Sequence, residues 1–127
     1  MRKHAKTPPD GTYTEYFREG TVSCSGAYKG GKKTGTWKYY LLNGNLKAVG
    51  NYCDDVFDGL WQWFRSNGKL LQEGSFSAGK QTGVWKRYYA NGQLMDEGTY
   101  SDSKKTGAWK RYKENGELRD EKLHWSS

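Results

Sequence analysis

The stretch TGVWKRYYANGQLMDEGTY, Thr82 to Tyr100, is written several times over in this chain. Thr34-Gly-Thr-Trp, Asp58-Gly-Leu-Trp and Thr106-Gly-Ala-Trp stand at the same phase, at intervals of 24 residues. A fixed period of this length marks an array of one supersecondary unit, so the fold follows from what that unit is. With the Gly before each Trp as origin, units start at Gly11, Gly35, Gly59, Gly83 and Gly107, the last one incomplete.

Recurrence within the chain shows which positions every unit needs. Tyr13, Trp37, Trp61, Trp85 and Trp109 form one column, and Tyr16, Tyr40, Phe64, Tyr88 and Tyr112 a second. Val22, Leu46, Leu70, Leu94 and Leu118 follow, then Gly26, Gly50, Gly74 and Gly98, then Tyr28, Tyr52, Phe76 and Tyr100. Between the aromatic and leucine columns lies Asn-Gly at Asn43, Asn67, Asn91 and Asn115. Asn-Gly between aromatic-rich runs is a hairpin signal, because a two-residue type I′ turn needs positive φ at both central residues. Each unit therefore reads as one β-hairpin, joined to the next by a loop of about four residues such as Gly30 to Lys33. The expected fold is all-β: ten strands forming an elongated, twisted, single antiparallel sheet over residues 11–127, after a disordered lead-in over residues 1–10.

With Asn91-Gly92 as the loop, Tyr89 faces Leu94, Tyr88 faces Met95, Arg87 faces Asp96, Lys86 faces Glu97 and Trp85 faces Gly98. A Trp opposite a Gly leaves room for the indole to lie across the neighbouring strand. Lys86 with Glu97, and Lys110 with Glu121, are expected as cross-strand ion pairs. One face then carries the Trp, Leu and second Tyr columns. The other carries the Lys and Glu ladder with the first Tyr column running through it.

The composition agrees with such an array. Only 34% of the chain is hydrophobic and there is no Ile, while aromatics reach 16%, so burial must come from rings. Net charge is +7, which favours an acidic partner of some kind. Cys24 and Cys53 stand at different phases and read as free, reduced thiols, which points to a cytoplasmic setting. His4 and His124 are terminal, and no phosphate loop, metal spacing or cysteine–histidine arrangement is present, so neither an enzyme nor a cofactor is expected.

The motif Gly-x-Trp-x-x-Tyr-x-x-Asn-Gly-x-Leu-x-x-x-Gly-x-Tyr resembles the MORN repeat, in its bacterial variant typical of the YwqK family, from about Gly11 to Tyr112. That resemblance implies hairpins stacked side by side, no catalytic residues, and an antitoxin or immunity protein that neutralises a toxin by binding it. Eukaryotic MORN arrays imply the alternative, a scaffold or membrane-surface adaptor that binds anionic phospholipid. Gly35 to Tyr40 with Asn43-Gly44 also resembles choline-binding surface repeats, but those have a shorter period near twenty residues. Nucleic acid ranks behind protein and lipid, because no recognised binding module accompanies the charge.

Repeat proteins bind through what differs between units, since shared positions are committed to stacking. The clearest difference is the segment Asp54-Asp55-Val56-Phe57-Asp58, where other units place Lys32 and Lys33, Lys80, or Lys104 and Lys105. Trp63 likewise stands where later units have Arg87 and Arg111. Val56, Phe57 and Trp63 are expected as apolar anchors for a protein partner, with Phe57 at a loop tip. Tyr40, Phe64 and Tyr88 are candidates from the first aromatic column. Lys33, Lys105, Arg87 and Arg111 are candidates for steering an acidic partner such as a toxin, and a basic stripe joins Lys38, Lys86 and Lys110 to the two arginines. A one-layer sheet also leaves room for self-association into a homo-oligomer.

Overall fold

A computed structural model describes residues 7–124. The expectation for the first six residues of the lead-in lies outside the described residues. Ten strands follow one another: β1 (Gly11–Tyr16), β2 (Val22–Lys29), β3 (Lys32–Tyr40), β4 (Leu46–Cys53), β5 (Val56–Phe64), β6 (Leu70–Ser77), β7 (Lys80–Tyr88), β8 (Leu94–Ser101), β9 (Lys104–Tyr112) and β10 (Leu118–His124). They pair antiparallel in sequence order as one open ten-stranded sheet. The fold is therefore the all-β hairpin array that the 24-residue period implies.

The turn chemistry is the reverse of the expected one. At Asn91-Gly92, the amide of Gly92 donates to Tyr89 O at 2.9 Å and the amide of Tyr89 donates to Gln93 O at 2.8 Å. Gly92 has φ 91° while Asn91 keeps negative φ, so this is a three-residue loop with one left-handed residue rather than a type I′ turn. Asn91 stays right-handed because its Oδ1 accepts the amide of Gln93 at 2.9 Å, which leaves the left-handed step to glycine. Asn43, Asn67 and Asn115 do the same for Asn45, Lys69 and Glu117. The true two-residue turns join one unit to the next. Gly30-Gly31, Asp54-Asp55, Ala78-Gly79 and Asp102-Ser103 have positive φ at both positions. The four-residue connection expected there is two residues long, because Lys29 already pairs with Lys32.

A second local feature cancels the first. Tyr88 pairs with Leu94, but Arg87 pairs with Asp96, so Met95 is a bulge. Beyond it Lys86 faces Glu97 and Trp85 faces Gly98, as the pairing from sequence requires. On the turn side of the bulge the faces are exchanged. The leucine column stands opposite the first tyrosine column and shares its face, not the tryptophan face expected for it.

The tryptophans hold the units together. Each lies across the glycine of the preceding hairpin, not across the one in its own. A Cβ placed on Gly26, Gly50, Gly74 or Gly98 would fall within the indole of Trp37, Trp61, Trp85 or Trp109 respectively. The indole N–H then donates to the carbonyl after that glycine: Trp37 to Ala27 at 3.1 Å, Trp61 to Asn51 at 2.9 Å, Trp85 to Ser75 at 3.1 Å and Trp109 to Thr99 at 3.1 Å. To reach across, β3 sets Gly35, Thr36 and Trp37 against Gly26 alone, since Thr34 pairs with Ala27 and Lys38 with Ser25. Gly35 begins that bulge at φ 69°, a conformation an L side chain rarely adopts. Trp37 and Trp61 are each 1% exposed although the sheet has a single layer.

Two glycine-related substitutions should move stability in opposite directions. Gly74→Ala overpacks the Trp85 contact and is expected to cost about 1–3 kcal/mol. Ala78→Gly relieves a left-handed alanine at an exposed turn and is expected to add about 0.5 kcal/mol. Urea denaturation followed by Trp fluorescence checks both, and equal midpoints for the two variants would contradict the packing described.

Candidate functional site

The two faces of the sheet offer different chemistry. On the first, Lys38, Gln62, Lys86 and Lys110 pair with Val49, Glu73, Glu97 and Glu121 across their hairpins. The expected Lys86–Glu97 and Lys110–Glu121 ion pairs have the right register, but neither closes to within 4 Å. Glu97 and Glu73 have other donors. Glu97 accepts the Tyr112 hydroxyl at 3.0 Å, and Glu73 accepts the Tyr88 hydroxyl at 2.9 Å and the Gln62 amide at 3.1 Å. Tyr88 and Tyr112 of the first aromatic column thus tie their hairpins to the preceding ones. Tyr40 and Phe64 occupy the same column and are half-buried.

Burial pushes the Tyr88 hydroxyl up to about 12, with its hydrogen bond to Glu73 and that carboxylate's charge adding to the effect. Tyr112 is raised for the same reasons, with Glu97 as its partner. A group whose pKa is raised on folding contributes stability below its unfolded value, and loses that contribution as pH climbs through the folded value. Stability should therefore fall from about pH 10 to about pH 12, and Tyr88→Phe should make that fall shallower. Thermal melts across this range check it, and identical alkaline limbs for variant and parent would count against the Tyr88–Glu73 bond.

On the second face, the tryptophan row is flanked by two variable rows. Lys33, Phe57, Gln81 and Lys105 share one phase, each four residues before its tryptophan. Lys33 Nζ sits 5.0 Å from the Trp37 ring and 5.1 Å from Tyr52, so it is not a free loop lysine. Lys105 Nζ lies 4.7 Å over Trp109. Phe57 is not at a loop tip: it is the second residue of β5, and its ring stacks on Trp61 at 4.1 Å. It also meets Tyr52 and Phe76 edge-on at 5.3 and 4.9 Å. The loop tip is Asp54-Asp55, where Asp55 Oδ1 accepts the amide of Lys33 at 2.7 Å and fixes the turn against the previous unit.

The other flanking row reads Tyr39, Trp63, Arg87 and Arg111. Trp63 stacks on Trp61 at 6.0 Å and tilts over Trp85 at 5.8 Å. Phe57 and Trp63 are thereby brought together around Trp61 and Phe76. Val56 is not with them: alternation turns it to the opposite face, where it is 40% exposed and lies against Gly79. The basic stripe also divides. Arg87 and Arg111 share the tryptophan face and bind Asp96 and Asp120, each at 2.5 Å, whereas Lys38, Lys86 and Lys110 point the other way. A feature the sequence did not signal is the hydroxyl pair of Tyr39 and Tyr52 at 2.8 Å, which, after burial, helps raise the Tyr52 pKa.

A one-layer array of hairpins with a half-exposed aromatic face defines a class of tandem-repeat protein. The MORN repeat variant matches residues 33–54, 57–78, 81–102 and 105–125, more than half of the protein, which belongs to that family. MORN repeats are commonly protein- or lipid-binding modules, and proteins built from them are generally non-enzymatic. No curated protein matches this sequence. Among solved structures, one similar to it is that of the GtfA/B complex bound to UDP and GlcNAc. The match is 12% identical with a TM-score of 0.34, over 94% of this protein and 25% of that one. Among the described residues no helix is long and apolar enough to cross a membrane, and no group of three or more His, Cys, Asp or Glu is placed to hold a metal ion. Both cysteines are free, Cys24 buried and Cys53 exposed.

Proposed function

We propose that the protein is a binding array whose tryptophan face docks an acidic protein, and that the partner is a toxin met in the cytoplasm, which makes it an antitoxin or immunity protein. The observation that carries the reading is the pairing of Phe57 and Trp63. These two departures from the repeat lie six residues apart in sequence, yet both pack on Trp61 and Phe76 and remain half-exposed on one face. A compact aromatic patch with large rings held rigid by their neighbours has the composition of an interface hot spot. Net charge of +7 supplies long-range attraction toward an acidic surface.

The array itself provides substitutions that should leave folding intact. Phe57→Gln and Trp63→Arg install the residues that Gln81 and Arg87 already place at the same phases. In cells arrested by a candidate toxin, the parent should restore growth and the double variant should not, while both give the same circular dichroism spectrum. Undiminished rescue by the folded double variant would refute the aromatic patch as the docking surface. Co-sedimentation with anionic vesicles that vanishes at high salt would instead favour the phospholipid adaptor.

A further inference from the structure

The tryptophan face is not closed evenly along its length. Beside Trp37 the flanking rows meet: Lys33 Nζ approaches the Tyr39 hydroxyl at 3.4 Å, and that hydroxyl bonds to Tyr52 at 2.8 Å. Over Trp61 the space is taken by Phe57 and Trp63. Farther along, the same phases carry Gln81, Arg87 and Lys105. There a cavity of about 300 Å³ opens, walled by Gln72, Gln81, Arg87, Asp96, Tyr100 and Lys105, with Trp85 and Trp109 as its floor.

The charges in this cavity are unequal in their freedom. Arg87 donates from Nε to both Asp96 oxygens at 3.1 Å and from Nη2 to Oδ2 at 2.5 Å. Asp96 is 6% exposed and its charge is met by the more exposed Arg87, so the two form a neutral pair. Lys105 has no carboxylate within 4 Å among the described residues and rests its Nζ over the Trp109 ring. The side chains of Gln72, Gln81 and Tyr100 make no hydrogen bond among the described residues, though each can donate one. The cavity thus holds one uncompensated positive charge, three idle donors and an indole floor.

We propose that this cavity is a subsite for a single carboxylate, supplied by an aspartate or glutamate residue or by the C-terminus of a polypeptide. One negative charge balances Lys105, its two oxygens take the amide and hydroxyl donors, and the apolar stem behind it lies on the indole rings. A phosphate dianion would leave one charge unbalanced in a half-enclosed site, a neutral sugar would leave Lys105 without a counter-charge, and a cation would meet the ammonium. The subsite deepens the acidic-partner reading and rests on it for its biological meaning, but its chemistry is testable without any partner.

The test is a titration of the full-length protein followed by the indole N–H signals in nitrogen-15 NMR. The probes are N-acetylglutamate α-amide for a glutamate residue, N-acetylglycylglycine for a C-terminus, and N-acetylglutamine amide and inorganic phosphate as controls. One or both carboxylate probes should shift Trp85 and Trp109 saturably while leaving Trp37 and Trp61 in place, and the better of the two identifies the source. Lys105→Met keeps the stem over Trp109 and should weaken that probe about tenfold. Gln81→Phe fills the space as Phe57 does one unit earlier and should abolish the shift with the spectrum otherwise folded. Absence of a saturable shift, equal affinity in Lys105→Met, or tighter binding of phosphate or of the neutral amide would overturn the proposal. If the carboxylate probe binds but the Phe57 and Trp63 variants still rescue growth, the subsite stands and the docking surface of the preceding subsection falls.

Discussion

Each tryptophan of the repeat has to lie on the backbone of the hairpin before its own, and most of the structure is a consequence of that constraint. The indole needs a bare strand beneath it, hence Gly26, Gly50, Gly74 and Gly98. Its N–H needs an acceptor, which the next carbonyl provides. Reaching there requires the later strand to insert extra residues, so a left-handed glycine precedes each tryptophan by two positions. These requirements fix the spacing within a unit, and unit-to-unit contact fixes the period. Because the rings bury one another side by side, the sheet reaches near-complete burial of Trp37 and Trp61 with 34% hydrophobic residues and no second layer.

The same constraint divides the sequence into positions that are committed and positions that are free to vary. On the tryptophan face the two flanking rows change character from unit to unit, and so does the row Ala48, Gln72, Asp96 and Asp120 that pairs with one of them. Along them Tyr39 and Trp63 give way to Arg87 and Arg111, and Phe57 gives way to Gln81 and Lys105. The face therefore grades from an aromatic patch around Trp61 to a polar cavity over Trp85 and Trp109. A partner lying along the array would meet apolar rings first and charged groups second, with both sets held in place by the same repeating lock.

Much of this was legible in the sequence. The period, the hairpin unit, the Arg87–Asp96 and Trp85–Gly98 pairings and the placing of Lys38, Lys86 and Lys110 on the face opposite the tryptophans all follow from recurring residues. Harder to read is how many residues each turn takes. Asn91-Gly92 reads as a type I′ turn and Gly30 to Lys33 as a four-residue loop, yet the asparagine side chain's bond to the amide two residues on makes the first a three-residue loop, and the two-residue turn is Gly30-Gly31. Met95 as a bulge carries no residue signature, yet it moves the whole leucine column to the other face. Phe57 reads as a loop tip if the connection has four residues; with a two-residue turn the same residue becomes the first inward side chain of its strand. The Lys86–Glu97 pair fails for a different reason: the Tyr112 hydroxyl from the adjacent hairpin reaches that carboxylate instead.

The claim that one tryptophan per unit locks the array is tested most directly by native-state hydrogen exchange at the indole nitrogens. Trp37, Trp61 and Trp85 each donate to a backbone carbonyl beneath a buried ring, so their indole protons should exchange only through large-scale opening of the sheet. Trp63 packs on the same rows with no acceptor for its indole N–H among the described residues, and its proton should exchange much faster. Exchange of the Trp61 proton as rapid as that of Trp63, in the folded protein, would contradict the lock.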